Sequence, residues 1–207
     1  LRQRVRSYRS TLQWDRRVLL ESFEMTHIAR KVVGVRSVGT RAWMILMKGV
    51  DDDDPLILQV KEAQPSVLSG YVDGPTFKNE GERVVNGQRL MQATSDIFLG
   101  WERGPGLDEG EHDFYIRQLR DGKGSAVIEE MVPQGLELYG RLCARVLAYA
   151  HARSSDRIAI AEYLGDGTEF DFAIGEFAAA YAKRNARDHA ALLTAIDDGR
   201  VSAERGV

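Results

Sequence analysis

An α+β fold is predicted, with a small antiparallel or mixed sheet followed by a helical segment. Three observations lead there. Between residues 24 and 119 the apolar residues fall in short, strand-length runs bounded by Gly, Pro, Asn and Asp. After Val132-Pro133-Gln134-Gly135 they recur at three- and four-residue spacing over long stretches. The two patterns occupy separate parts of the chain. They define an N-terminal helical segment at 1–23, a sheet with one helix at 24–132, and a helical segment at 133–207.

Residues 4–23 carry Tyr8, Leu12, Val18, Leu19 and Phe23 on one side and read as one or two short helices, with a break at Trp14-Asp15. A strand-like pattern runs from Glu24 to Val33. The next strand, Arg41 to Val50, is apolar on both faces, as a strand covered on both sides should be. The run Asp51-Asp52-Asp53-Asp54-Pro55 closes a hairpin with turn-forming residues. A third strand, Leu56 to Lys61, leads into a loop rich in Pro, Ser and Gly. A helix is expected from about Glu80 to Thr94, carrying Val84, Val85, Leu90 and Met91. Strands are expected at Ile97–Trp101 and Asp113–Leu119, flanking an exposed loop at Arg103–His112. Gly135 to Arg153 places Leu136, Tyr139, Leu142, Cys143, Val146, Leu147 and Ala150 on one helical stripe. A last helical segment, from about Glu169 to Ile196, has Phe170, Ile174, Phe177 and Tyr181 on one side and resumes with Leu192 and Ile196.

With 207 residues, 43% apolar and 29% charged, the composition is that of an ordinary globular chain able to bury a core. A net charge of -3 argues against a nucleic-acid partner, which calls for a basic face. No apolar run approaches the roughly 20 residues of a membrane span, so no membrane partner is expected. The start has no apolar core of a signal peptide and no initiator Met, which suggests a processed chain or a fragment. A single cysteine, Cys143, rules out an internal disulfide and fits a cytoplasmic protein. It is expected in the core.

Few residues point to chemistry. The turn Gly34-Val35-Arg36-Ser37-Val38-Gly39 joins two strands. Glycines let backbone approach phosphate oxygens, and successive N–H groups form an anion-binding nest. It lacks the Lys-Ser/Thr that ends a Walker P-loop. Arg36 stands where the kinase Gly-x-Gly-x-x-Gly has its middle glycine, so the turn by itself favours a plain hairpin. Lys61 comes one hairpin later on an apolar strand, as does the phosphate-binding lysine of kinases. A strand lysine at the surface is the alternative. Such a lysine needs a carboxylate from the following helix. Glu82 is the candidate, although Glu80 and Glu82 would also serve the helix dipole. Glu62 should point to the opposite face from Lys61. The strand Phe114–Leu119 occupies the place of the strand before a kinase hinge, which would put Gln118 to Asp121 beside a nucleotide base; an edge strand ending in a solvated loop fits equally.

Other features carry less. His27, His112, His151 and His189 show no metal-ligand spacing. His151 and Arg153 suit the C-terminal end of a helix. No Gly-x-Ser-x-Gly elbow is present.

The blocks RKVVGVRSVGTRAW, LILQVKEAQPSVL, RVVNGQRLMQATSDIFLGW, FYIRQLRDGKGS, LCARVLAYAHARS and FAAAYAKRNARDHAALL together resemble the bacterial Domain of Unknown Function family 2252, from about Tyr8 to Ile196. The resemblance implies a divergent relative of aminoglycoside-phosphotransferase-type kinases. It also implies longer members, whose Gly-Asp-x-His-like catalytic loop and Asp-rich metal-binding stretch precede the segment seen here. That order would make the family a circular permutation of the usual kinase arrangement. No Asp of this chain matches the general base or metal ligands.

The expectation is therefore the C-terminal portion of a kinase-like protein, with a sheet like a kinase N-lobe. Lys61 would be its catalytic cation. Gly34, Val35, Arg36, Ser37, Val38, Gly39, Lys61, Glu82, Gln118 and Asp121 would contact ATP-Mg. The missing N-terminal portion would be its partner in catalysis, and alone the chain should transfer no phosphoryl group, because positioning and electrostatics supply nearly all of that catalysis. A pseudokinase-like binding or regulatory module is the alternative.

Overall fold

The computed structural model describes residues 2–31, 39–105, 110–119, 124 and 126–203. Among them the chain is α+β, with a five-stranded antiparallel sheet and six α-helices. It divides into two compact units, Leu1–Ser155 and Asp156–Val207.

The first unit opens with α1 (Arg2–Ser10) and α2 (Trp14–Glu21). The break lies at Thr11-Leu12-Gln13, so Trp14 begins the second helix. The sheet follows as β1 (Glu24–Arg30), β2 (Ala42–Lys48), β3 (Pro55–Ala63), β4 (Gly100–Pro105) and β5 (Glu111–Gln118), in spatial order β1-β2-β3-β5-β4. Between β3 and β4 comes α3 (Glu80–Met91), and α4 (Pro133–Ser154) closes the unit with Pro in its first turn, where the missing N–H costs nothing.

Alternation gives the sheet two different faces. On one, Ile45, Met47, Leu56, Leu58 and Ile116 join Tyr8, Leu12, Leu20 and Phe98 in the core beneath α1 and α2. Full burial of side chains such as Leu58, Met47 and Leu20 contributes about 1.5–3 kcal/mol each. The Tyr8 hydroxyl donates to the Phe98 carbonyl, and burial pushes its ionisation far above the usual phenol range. On the other face lies the row Ala42, Lys61, Tyr115, Trp101, read across four strands by register. There α3 packs, with the Arg89 guanidinium 5.9 Å from the Trp101 ring centroid.

Several boundaries differ from expectation. β4 starts at Gly100, because Asp96 folds the preceding residues into a turn: its carboxylate accepts from Phe98 N at 2.8 Å and Gln118 N at 2.9 Å. The strands then extend into the stretch expected to be loop, pairing Gly104 with His112 and Pro105 with Glu111. Cys143 is exposed, and with it Leu142 and Val146, so the α4 stripe does not make a core. Helical periodicity marks an apolar face without saying that anything covers it.

The second unit holds α5 (Arg157–Leu164) and α6 (Glu169–Asp197). α5 has a legible start, since the Asp156 side chain accepts from Ile158 N and Ala159 N, and a legible stop at Gly165, whose φ is 66°. The ring of Phe177 stacks on Tyr181 at 5.6 Å, and Tyr163 meets Phe170 edge-on at 6.2 Å. Most of α6 is exposed, including Phe172 and Phe177; Ala195 is buried.

Candidate functional site

Lys61 sits within β3, two residues before its end, directly across from Ala42, the first residue of β2. It therefore lies at the sheet end from which the β1–β2 connection leaves. Lys31 N donates to Ala42 O at 2.9 Å, closing the root of that connection. Gly34, Val35, Arg36, Ser37 and Val38 lie outside the described residues, as does Asp121. Gly39 has a φ of 79°, the left-handed conformation that glycine adopts without penalty.

The root of the hairpin is pinned by a carboxylate. Glu62 continues the inward series Leu56, Leu58, Val60, so its side chain enters the α1 face and is only 4% exposed. One oxygen accepts from Arg41 N at 2.9 Å and Arg41 Nη1 at 3.0 Å. The other lies 3.3 Å from His112 Nδ1. Burial pushes this carboxyl up, but the hydrogen bonds from Arg41 and Gln64 outweigh it and hold the group below the ordinary range. Glu62 N also donates to Arg41 O at 2.9 Å. Residue 41 is thus fixed to β3 immediately beside Lys61.

A second carboxylate fixes α3. Asp113 on β5 accepts from Glu80 N at 2.7 Å and from Asn79 Nδ2 at 3.0 Å. Asn79 in turn caps the helix by accepting from Glu82 N at 3.0 Å. Arg103 grips both Asp113 oxygens, at 2.6 and 3.0 Å. Burial raises the Asp113 carboxyl; Arg103 and the Glu80 amide bring it below its usual value.

Lys61 and α3 consequently share one sheet face. Glu82, half-buried in the first turn, belongs to that helix; among the described residues no ion pair joins it to Lys61. Gln118 pairs with Leu58, so register directs its side chain to the α1 face, and it stands three residues along β5 from Tyr115, about 10 Å by strand rise. Next to Lys61 on its own face, the Gln59 side-chain Oε1 accepts from Arg117 Nε and Nη2, each at 3.3 Å. Tyr115, the cross-strand neighbour of Lys61, has its phenol pushed up by burial.

Sequence reasoning missed both clamps. A charged residue at an inward position of an apolar strand, as Glu62 is, signals a buried carboxylate that must have partners. Asp113 carries no such signal, because its partners come from a distant helix start. Among the described residues no group of three His, Cys, Asp or Glu side chains is disposed to hold a metal ion, and no helix is long and apolar enough to cross a membrane.

The geometry defines an antiparallel sheet with a cation-bearing third strand facing a helix. The family described as "Uncharacterized protein conserved in bacteria (DUF2252)" matches residues 1–195, and the chain belongs to it. No curated protein and no solved structure matches the chain.

Proposed function

We propose that this chain is the nucleotide-binding portion of a kinase-like phosphotransferase, holding ATP phosphates between the 34–39 turn and Lys61. The observation that carries the reading is the position of Lys61. It lies on the third strand, beside the pinned root of the glycine-containing hairpin, on the sheet face that α3 covers. Hairpin, strand lysine and helix carboxylate follow one another in the order of a kinase phosphate site. Lys61 supplies a compact positive charge to phosphate oxygens. The turn supplies backbone donors, with Arg36 as an additional cation. Glu82 orients Lys61 once a nucleotide is present, and the base is bordered by the backbone of the segment at Gln118 to Asp121, since the Gln118 side chain faces away from Lys61. The general base and the Mg-ligating acids come, in this reading, from residues outside these 207.

A binding or regulatory module without turnover is the second reading, favoured by the exposed apolar residues of α4 and α6. Thermal melts with and without ATP-Mg, on the wild type and Lys61→Ala, separate the two. At a ligand concentration about 100 times Kd the wild type should gain about 2.7 kcal/mol, read as a rise in Tm that Lys61→Ala largely loses. Equal shifts in both proteins, or none in either, overturn the nucleotide reading.

A further inference from the structure

The sheet face opposite Lys61 holds a groove of about 530 Å³ between α1 and the strands. Its floor is made of buried Ile45, Met47, Leu58 and Ile116, and α1 contributes Val5 and Tyr8. The Tyr8 hydroxyl is already engaged by the Phe98 carbonyl, so α1 presents only ring carbon there. The groove runs across the strands from β1, where Ile28 and Arg30 form an exposed rim, towards β4, where Glu102 is buried. Strands β1 and β4 are four positions apart in the sheet, about 19 Å at ordinary strand spacing. The cleft is therefore long and apolar, with a cationic rim at β1.

We propose that this groove binds a medium-chain fatty-acid-type anion, its hydrocarbon chain lying along Ile45, Leu58 and Ile116 and its carboxylate on Arg30. The floor supplies apolar surface, which is what drives a hydrocarbon chain out of water. Arg30 lines the rim and makes no ion pair or hydrogen bond among the described residues. Its guanidinium matches a carboxylate in shape and charge. Arg30, at the exposed rim, sets the direction of insertion with the head group at β1. This site uses none of the residues assigned to the nucleotide.

Calorimetric titration of the 207-residue chain with dodecanoate, below its micelle concentration, tests the proposal. Saturable binding at one site is expected, weakening about fourfold for each methylene removed in decanoate and shorter acids. Arg30→Gln, a change at an exposed position, should weaken dodecanoate by about two- to fivefold and leave dodecanol unaffected. Ile28→Asp, also at the exposed rim, should weaken both ligands, whereas Lys61→Ala should weaken neither. Absence of saturable binding overturns the proposal. So does affinity independent of chain length, tighter binding of dodecyltrimethylammonium than of dodecanoate, or an Arg30→Gln variant that weakens dodecanol as much as dodecanoate.

Discussion

Replacing Glu62 tests whether the hairpin root is held by a buried carboxylate. In the wild type this side chain is 4% exposed and accepts from the Arg41 amide and the Arg41 guanidinium, with His112 Nδ1 3.3 Å from its other oxygen. Removing one partner of a buried ion pair costs about 3–5 kcal/mol when the other stays dry. The Arg41 side chain is 25% exposed, so water recovers part of its loss. The orphaned Arg41 amide adds a penalty of about 1–3 kcal/mol if it stays buried. Glu62→Ala should therefore cost about 3 kcal/mol, a fall in Tm of about 6–12 °C for a chain of this size. Glu62→Gln keeps the shape and one acceptor oxygen but loses the charge, and should cost about half as much. Urea melts read both values, with an unchanged slope showing that the unfolding reaction is the same. The pH dependence has a definite sign. The folded carboxyl titrates below its unfolded counterpart, so its contribution is present above the ordinary carboxylate range and is lost as pH falls through the folded value. The gap between wild type and Glu62→Gln should narrow under acid. Two variants each within about 0.5 kcal/mol of wild type at neutral pH, the range of ordinary surface changes, would refute the clamp.

Two further changes probe the seat of α3. Gly81→Ala places a Cβ 2.2 Å from the Phe114 carbonyl oxygen, so the gain of about 1 kcal/mol in helix propensity is overridden and a net loss of about 1–3 kcal/mol results. At Gly140, where a Cβ meets nothing within 4 Å, the same change should stabilise by about 0.5–1 kcal/mol. Thermal melts showing equal effects of the two changes would contradict the packing. Asp113→Asn weakens the Arg103 fork and should cost about 1–2 kcal/mol at pH 7. Because the folded carboxyl titrates low, that difference should shrink towards pH 3 in urea melts, and a constant difference would count against the assignment.

Much of the fold is local and was legible. The Asp51–Pro55 turn closes the β2–β3 hairpin where turn chemistry required, whereas the cover expected on both faces of β2 is found on one: Ile45 and Met47 are buried under α1 and α2 and Leu46 is exposed. The helix at Glu80 announced itself through Asn79 and the acidic first turn. What was not legible depends on partners distant in sequence. The start of β4 is set by Asp96 bonding to Gln118, twenty-two residues away. Asp113 holds Asn79 and Glu80 across more than thirty residues. The exposure of Cys143 escaped for another reason: periodicity reports which side of a helix is apolar, and the same stripe arises whether or not it is covered. For the candidate site, the parity of β3 correctly sent Glu62 to the face opposite Lys61, but its bonds to Arg41 and His112 had no signature in spacing.

The two carboxylates suggest why Lys61 is the informative cation. Glu62 ties Arg41, the second residue after the glycine turn, to β3 on one face, and Asp113 ties the start of α3 to β5 on the other. Lys61 stands one residue from the first clamp and in the strand beside the second. Neither clamp requires Lys61, since each is complete through its own partners. A sheet stabilised only for its own sake would gain more from apolar residues at these positions, because desolvating a carboxylate consumes much of what its ion pair returns. What a buried, directional clamp provides is fixed geometry in the elements it joins. Here those elements are the hairpin root and the helix start near Lys61, and fixed geometry in them is what the proposed nucleotide reading requires.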